Sequence, residues 1–444
     1  MKMLIRHTLL ALYLGAAAAI AAEPAVLISN VTVIDGTGRA PQPGRTVLVQ
    51  GDKIVAIRDH DIPTPGATKI DGRGKFLIPG LIDTHIHLQG GRGADRNPTV
   101  DVDTGRRFLH GFLYAGTTAV YDSANYDKFI FTMRDLERSG RMISPRIYAT
   151  GYLLTRPKGY ADGGGAATVD TFEQGTAALD RLIVQKPDLI KFILAPHTVG
   201  MVQEVPTFSP ELFHRLLMYA NSRGYRTTVH ATEGPVQRQA VEAGIDALAH
   251  PVYMTATDNE LAPMIAARNI PVSTTLVVLW NIFSLAEDSK HFDDPLYRAM
   301  LTPEDRVYFH DVEQQRYKTT TLGKWGKEAF QLASTNVRKL YDAGATLALG
   351  TDRTIGATVH QELELLVGLG IPPLQALKIG TLNAAKYLRQ EDRMGSVEEG
   401  KLADLVLLDA DPTTDIKNTR KISQVILGGK VVDRGALDLP INKR

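Results

Sequence analysis

At 444 residues, with 50 lysines and arginines against 49 aspartates and glutamates, the chain carries a formal charge of +1. Near-neutrality supplies no field to gather nucleic acid, and no basic run makes a membrane-surface stripe, so the expected partner is a small molecule. The absence of cysteine excludes disulfides, thiolate metal sites, a cysteine nucleophile and a lipidated cysteine, so any metal must be held by nitrogen and oxygen.

Lys2, Arg6 and His7 precede an apolar stretch over residues 9–20, and small residues follow up to Glu23 and Pro24. This is the layout of a secretory signal peptide. Its core falls short of the roughly 20 residues that span a bilayer, and Ala19 and Ala21 flank Ile20, which predicts cleavage after Ala21; the alternative is an uncleaved anchor. The expected destination is the periplasm of a two-membrane bacterium, or the medium otherwise, without membrane contact after cleavage.

Residues 25–78 read as short strands at 26–28, 31–34, 46–49 and 54–57, punctuated by glycines. The far end repeats that texture at 405–408, 424–427 and 430–432. Both termini are therefore expected to share one small β-sandwich domain, from 22–79 and 396–444. Between them, over 80–395, apolar strands alternate with amphipathic helices, the pattern of parallel βα units in an α/β fold. The predicted strands are 81–87, 117–122, 146–153, 189–194, 226–230, 247–250, 272–279 and 346–352, the number a closed (β/α)8 TIM-like barrel needs. Helices are predicted at 171–185, 210–222 and 235–243. The segment 280–332 is too long for a simple connector and reads either as a helical lid or as an elongated outer helix.

The chemistry gathers at strand ends. His85 and His87 share a strand face through the period of two, and in a barrel that face looks into the mouth where barrel enzymes place their sites. Taken alone, the pair is either a pair of metal ligands or two polar surface residues. However, His230, His250 and Asp352 also close predicted strands, which points to ligands converging on one rim. Lys191 sits inside the apolar strand 189–194, where an unpaired ammonium is costly and its pKa is expected to fall. It is either paired with a carboxylate such as Asp352 or neutral enough to react with carbon dioxide, giving a carbamate able to bridge two cations.

The run Gly80-Leu81-Ile82-Asp83-Thr84-His85-Ile86-His87, the lysine strand, His230, His250, Gly350-Thr351-Asp352 and the stretch from Gly400 to Val406 together resemble the amidohydrolase superfamily. The chain is similar to its imidazolonepropionase-like and Xaa-Pro dipeptidase-like members, including the ochratoxinase branch. The resemblance implies His85, His87 and Asp352 on a buried metal, His230 and His250 on an outer one, and carboxylated Lys191 bridging them, with zinc the default ion. It further implies a metal-bridging hydroxide as nucleophile, with Asp352 passing its proton to the leaving nitrogen. His230-Ala231-Thr232-Glu233 also has the form single-metal members use for proton transfer, so Glu233 is either a general acid/base or a cap on the helix that follows.

Substrate contacts are expected from Tyr160 in the loop after the third strand, from Arg353, Arg156 or Lys158 toward a carboxylate, and from His197 and His360 near the rim. Each of these charges reads equally well as solvated surface. His110, His214, His291 and His310 read as packing or surface residues. The loop of residues 155–165 departs from the Gly-Gly-His loop of the dipeptidase-like relatives. The expected activity is hydrolysis of a C–N amide bond in a dipeptide, N-acyl amino acid or aryl amide. Alternatives are a single-metal cyclic amidase or deaminase, a two-metal lactonase or phosphotriesterase, and a binding protein on the same scaffold; the chain is free to be a homo-oligomer.

Overall fold

The computed structural model describes residues 25–88, 101–163, 165–198, 200, 203–288 and 290–443; the leader pattern of residues 1–21 lies outside them. In the first strand, Ala25–Val33, the side chains of Val26 and Ile28 are buried and Asn30 enters the left-handed region at φ 59°. The register shifts there, between Ile28 and Val31. This bulge returns Val31 and Val33 to the buried face.

That strand lies inside one sheet with the order Lys430–Val431, Ile422–Leu427, Leu405–Leu408, Phe76–Pro79, Ala25–Val33, Gln42–Gln50 and Lys53–Arg58. The short strand Thr68–Asp71 also pairs with Ala25–Val33, in parallel. The two ends of the chain meet where Phe76–Pro79 runs antiparallel to Leu405–Leu408. Their aliphatic residues, including Ile28, Val47, Leu77, Leu405 and Ile426, pack into one buried cluster. Strands from the early and late parts of the chain thus lie in one sheet.

The intervening chain forms two parallel sheets. Leu81–Ile86, Thr117–Asp122 and Arg146–Ala149 make the first. The second runs in the order Ala166–Thr168, Leu153–Thr155, Ile190–Ile193, Thr227–His230, Ala247–Leu248, Val272–Ser273 and Leu347–Ala348. Ile190–Ile193, Thr227–His230 and Thr117–Asp122 are buried along their whole length, as expected of parallel strands covered on both faces. The predicted helices appear as Phe172–Ile183, Pro210–Ser222 and Gly234–Glu242.

Two predicted strands are corrected. The run 146–153 breaks at Gly151, whose φ of 75° favours glycine, and resumes as Leu153–Thr155. The run 272–279 stops at Ser273 and becomes the helix Leu276–Glu287. Its β-branched residues favour a strand, but the buried Glu362 carboxylate accepts the Leu276 and Val277 amides at 3.0 and 2.6 Å. An anion at that end supports a helix start.

The long segment after it is helical, ending in Leu322–Asp342. Leu285, Phe292, Tyr297, Phe309 and Tyr317 form an apolar cluster with Ala115, Ile355 and Ala357. The segment therefore packs onto the chain that follows Asp352. Among the described residues, no helix is long and apolar enough to cross a membrane.

Candidate metal centre

His85 lies in the strand Leu81–Ile86 and His87 just beyond its end. Their Nδ1 atoms each lie 3.0 Å from a backbone carbonyl, Ala249 for His85 and Ala124 for His87. A carbonyl can only accept, so each Nδ1 carries the ring proton and each Nε2 presents a lone pair. The two Nε2 atoms face one another at 3.3 Å. Nitrogen lone pairs aimed together at that distance repel, and a shared cation removes the repulsion.

The other expected ligands surround this pair. Asp352 Oδ1 lies 3.4 Å from His87 Nε2 and 3.9 Å from His85 Nε2, and Lys191 Nζ lies 3.3 Å from His85 Nε2. The His250 ring tilts against His85 with centroids 4.5 Å apart, and His230 meets His250 edge-on at 4.7 Å. Ligand atoms of His85, His250 and Asp352 all fall within 4.8 Å of one another.

The backbone fixes this convergence. The Asp352 amide donates to the His85 carbonyl at 2.7 Å, with Asp352 itself in the left-handed region at φ 50°, a strain that surrounding contacts must hold. Gly350 allows the approach, because a Cβ there would sit 1.9 Å from Ser273 Oγ and 2.9 Å from His85 Cβ. Asp83 staples the same two segments, its carboxylate accepting the His85 amide at 3.1 Å, the Thr351 amide at 3.0 Å and the Thr351 hydroxyl at 2.6 Å.

Burial sets the protonation states. It holds His85 and His250 well below the usual imidazole range and His230 at about 3, with the Lys191 charge acting in the same direction. The rings are therefore neutral, the form that binds metal. Burial also lowers Lys191 to about 8, against the opposing pull of the Asp352 and Asp122 carboxylates. Neutral imidazoles, a carboxylate and an amine whose proton burial has loosened, supplied without sulfur, fit a divalent cation of the zinc type.

Around the cluster, Tyr160 stacks on the His230 ring with centroids 4.8 Å apart and planes 16° from parallel. Its loop is tied by the Thr155 hydroxyl to the Tyr160 carbonyl at 2.8 Å and by the Lys158 amide to Asp162 at 2.6 Å. His197 Nδ1 pairs with Glu233 Oε1 at 3.0 Å. Glu233 occupies the N-cap position of Gly234–Glu242, where its charge faces the amide-rich end, and its side chain makes no capping hydrogen bond. Arg353 is buried between the rim and the helical segment.

One other expectation is corrected. His360 is fully buried, with one nitrogen 3.0 Å from the Ala115 carbonyl and the other 3.0 Å from the Thr419 hydroxyl; both nitrogens are engaged internally, so it offers nothing to a substrate. Arg156 pairs with Asp170 at 2.8 Å and Lys158 is exposed on its loop, the surface placement that was the alternative reading for both.

Three neighbours were not foreseen. Thr275 contacts His250 Nδ1 at 3.0 Å, Tyr253 meets the His250 ring edge-on at 5.9 Å, and Asp122 lies behind Lys191. Asp122 accepts the Leu88 amide at 2.6 Å, and burial pushes it up to about 7 while the Lys191 charge opposes this. Asp122 closes the predicted strand 117–122, so its position at the rim was visible; the other two follow strands without any pattern that marks them.

The profile of the Amidohydrolase family matches residues 76–432, taking in every one of these ligands. The chain belongs to the Amidohydrolase family. It is 25% identical to the ochratoxinase of Aspergillus niger over 451 aligned positions, covering 91% of this chain and 87% of that protein. The imidazolonepropionase of Fusobacterium nucleatum is 22% identical over 421 positions, covering 86% of this chain and 87% of its own length. In fold, the amidohydrolase is similar to a Xaa-Pro dipeptidase solved with bound methionine in its active site, with a TM-score of 0.76 at 23% identity over 92% of this chain and 99% of that one. As an amidohydrolase it is an enzyme, a hydrolase acting on carbon–nitrogen bonds in small molecules, from a metal-dependent family.

Proposed function

We propose that the chain is a two-metal amidohydrolase that cleaves the C–N amide bond of a dipeptide, an N-acyl amino acid or an aryl amide. The observation that carries this reading is the meeting of His85 Nε2, His87 Nε2, Lys191 Nζ and Asp352 Oδ1 at separations of 3.3 to 3.9 Å. His85, His87 and Asp352 would hold one ion, His230 and His250 the other, and Lys191 as its carbamate would bridge them. Carbamate formation joins the neutral Lys191 amine to carbon dioxide and releases one proton. Divalent ions, when bound, supply an activated water and polarise the scissile carbonyl.

The chain's own residues do the rest. The Ala249 and Ala124 carbonyls hold the two first imidazoles in one tautomer, so their Nε2 atoms stay aimed inward. Asp352, with a quarter of its side chain exposed, takes the proton of the attacking water and delivers it to the leaving nitrogen. Tyr160, stacked on His230, covers that ring, and His197, paired with Glu233, serves as a substrate contact.

The second reading uses a single ion with Glu233 as the acid/base. It is favoured by one observation, the pairing of Glu233, three residues after His230, with His197 at 3.0 Å rather than with the amides of its own helix. Assays separate the readings: amine released from N-acyl amino acids supports the first, whereas ammonia released from heterocycles supports the second. Turnover of lactones or phosphotriesters alone would overturn both, and inertness of the metal-loaded protein toward all of them would point to a binding protein.

The reading includes a closed barrel over 80–395, a terminal β-sandwich from 22–79 and 396–444, and export after cleavage at Ala21. Barrel closure is supported by the Thr84 amide donating to the Leu349 carbonyl at 2.8 Å and the Asp188 amide to the Ala149 carbonyl at 2.8 Å, bonds that link the three-stranded parallel sheet to the larger one through both of its outer strands.

A further inference from the structure

Arg353 follows Asp352 directly and is only 6% exposed. Its Nε and Nη2 atoms are buried and have no hydrogen-bond partner among the described residues. These two N–H groups form one edge of the guanidinium, the edge whose parallel donors match both oxygens of a carboxylate. A buried guanidinium edge left without acceptors is unfavourable enough that a native structure keeps one only where something else completes it. The surroundings are unfinished in the same way. The Tyr297 hydroxyl, His291 Nε2 and Glu313 Oε2, all from the helical segment, are buried without partners among the described residues and lie within electrostatic reach of Arg353 or its immediate neighbours. Glu313 balances the charge from nearby without forming an ion pair with it.

We propose that the Nε–Nη2 edge of Arg353 receives a carboxylate of the substrate, so that the enzyme selects amides whose amine half is an amino acid. This rests on the reading of Asp352 as proton donor to the leaving nitrogen. The anchored carboxylate is accordingly placed on the leaving-group side, the side that Asp352 serves. N-acyl amino acids and dipeptides satisfy that requirement, and neutral aryl amides do not. The helical segment then acts as the wall of a specificity pocket, with Tyr297 and His291 as further polar contacts.

The test compares N-acetyl-L-leucine with N-isopentylacetamide, the same molecule without its carboxylate, and titrates the metal-loaded protein with L-leucine and isopentylamine by calorimetry. The expected result is a preference of at least about 10- to 100-fold for each acid over its neutral counterpart, lost in Arg353→Gln and partly restored in Arg353→Lys. Equal treatment of acid and neutral partner by the wild-type protein overturns the proposal without needing a variant to fold, as does a preference that survives Arg353→Gln. Binding of L-leucine through Arg353 with neither amide cleaved would leave the carboxylate site standing but overturn the selection of amides, together with the amidase reading. Cleavage of both amides at equal rates would overturn the selection and keep the amidase reading.

Discussion

His250 Nδ1 lies 3.0 Å from the hydroxyl of Thr275, a β-branched residue held at φ 40°. That backbone conformation is an outlier for threonine, and it persists because the next two amides are gripped by the buried Glu362. The chain thus spends backbone strain at this point to aim one hydroxyl at one ligand. Thr275→Val, similar in shape but lacking the hydroxyl, is expected to weaken metal retention by about 10- to 100-fold, measured by competition with a chelator. Wild-type affinity in that variant would mean that packing alone orients His250.

Gly350 is required by proximity. Gly350→Ala drives a methyl into Ser273 Oγ and His85 Cβ, and the strand pair has no slack, since Asp352 and Asp83 bind it on either side. The expected loss is about 1 to 3 kcal/mol, read from urea denaturation of the metal-free protein, together with loss of bound metal.

Acid should weaken the metal-free protein through its buried imidazoles. His230 and His360 titrate near 3 in the folded chain and His291 near 4, all through burial first, against about 6.5 when unfolded. Below 6.5 the unfolded chain binds more protons than the folded one, so stability is full above that pH and falls as pH drops toward 3 or 4. Each such histidine contributes a slope of about 1.4 kcal/mol per pH unit in that window. Thermal melts at pH 7, 6, 5 and 4 check this, and His360→Gln, outside the metal cluster, should flatten the slope.

The two carboxylates at the rim are expected to differ in weight. Asp352→Asn should reduce kcat by about 100- to 10,000-fold, while Glu233→Gln should cost less than about 10-fold. Steady-state kinetics on N-acetyl-L-leucine compare them, and the opposite ranking would favour the single-ion mechanism.

What the sequence made legible is whatever depends on strand ends. His85, His87, His230, His250 and Asp352 each lie at a strand end or just past it, where local alternation and the parallel βα pattern suffice to place a side chain at the rim. Lys191 was visible because a cation within an apolar strand is rare. The pattern failed where distant residues decide. Nothing near Val272 signals that Glu362, far along the chain, will convert a β-branched run into a helix start. His360 looked available until Ala115 and Thr419, both remote in sequence, closed on its nitrogens. The surroundings of Arg353 were equally hidden, because they come in part from a segment whose helices could be foreseen but not their docking.

The most direct test counts metal ions. Zinc-reconstituted protein, measured by inductively coupled plasma mass spectrometry, should hold about two ions per chain, and Lys191→Ala about one, because the bridging anion is gone. Two ions retained in Lys191→Ala, or a single ion in the wild-type chain that the substitution leaves untouched, would contradict a centre bridged through Lys191.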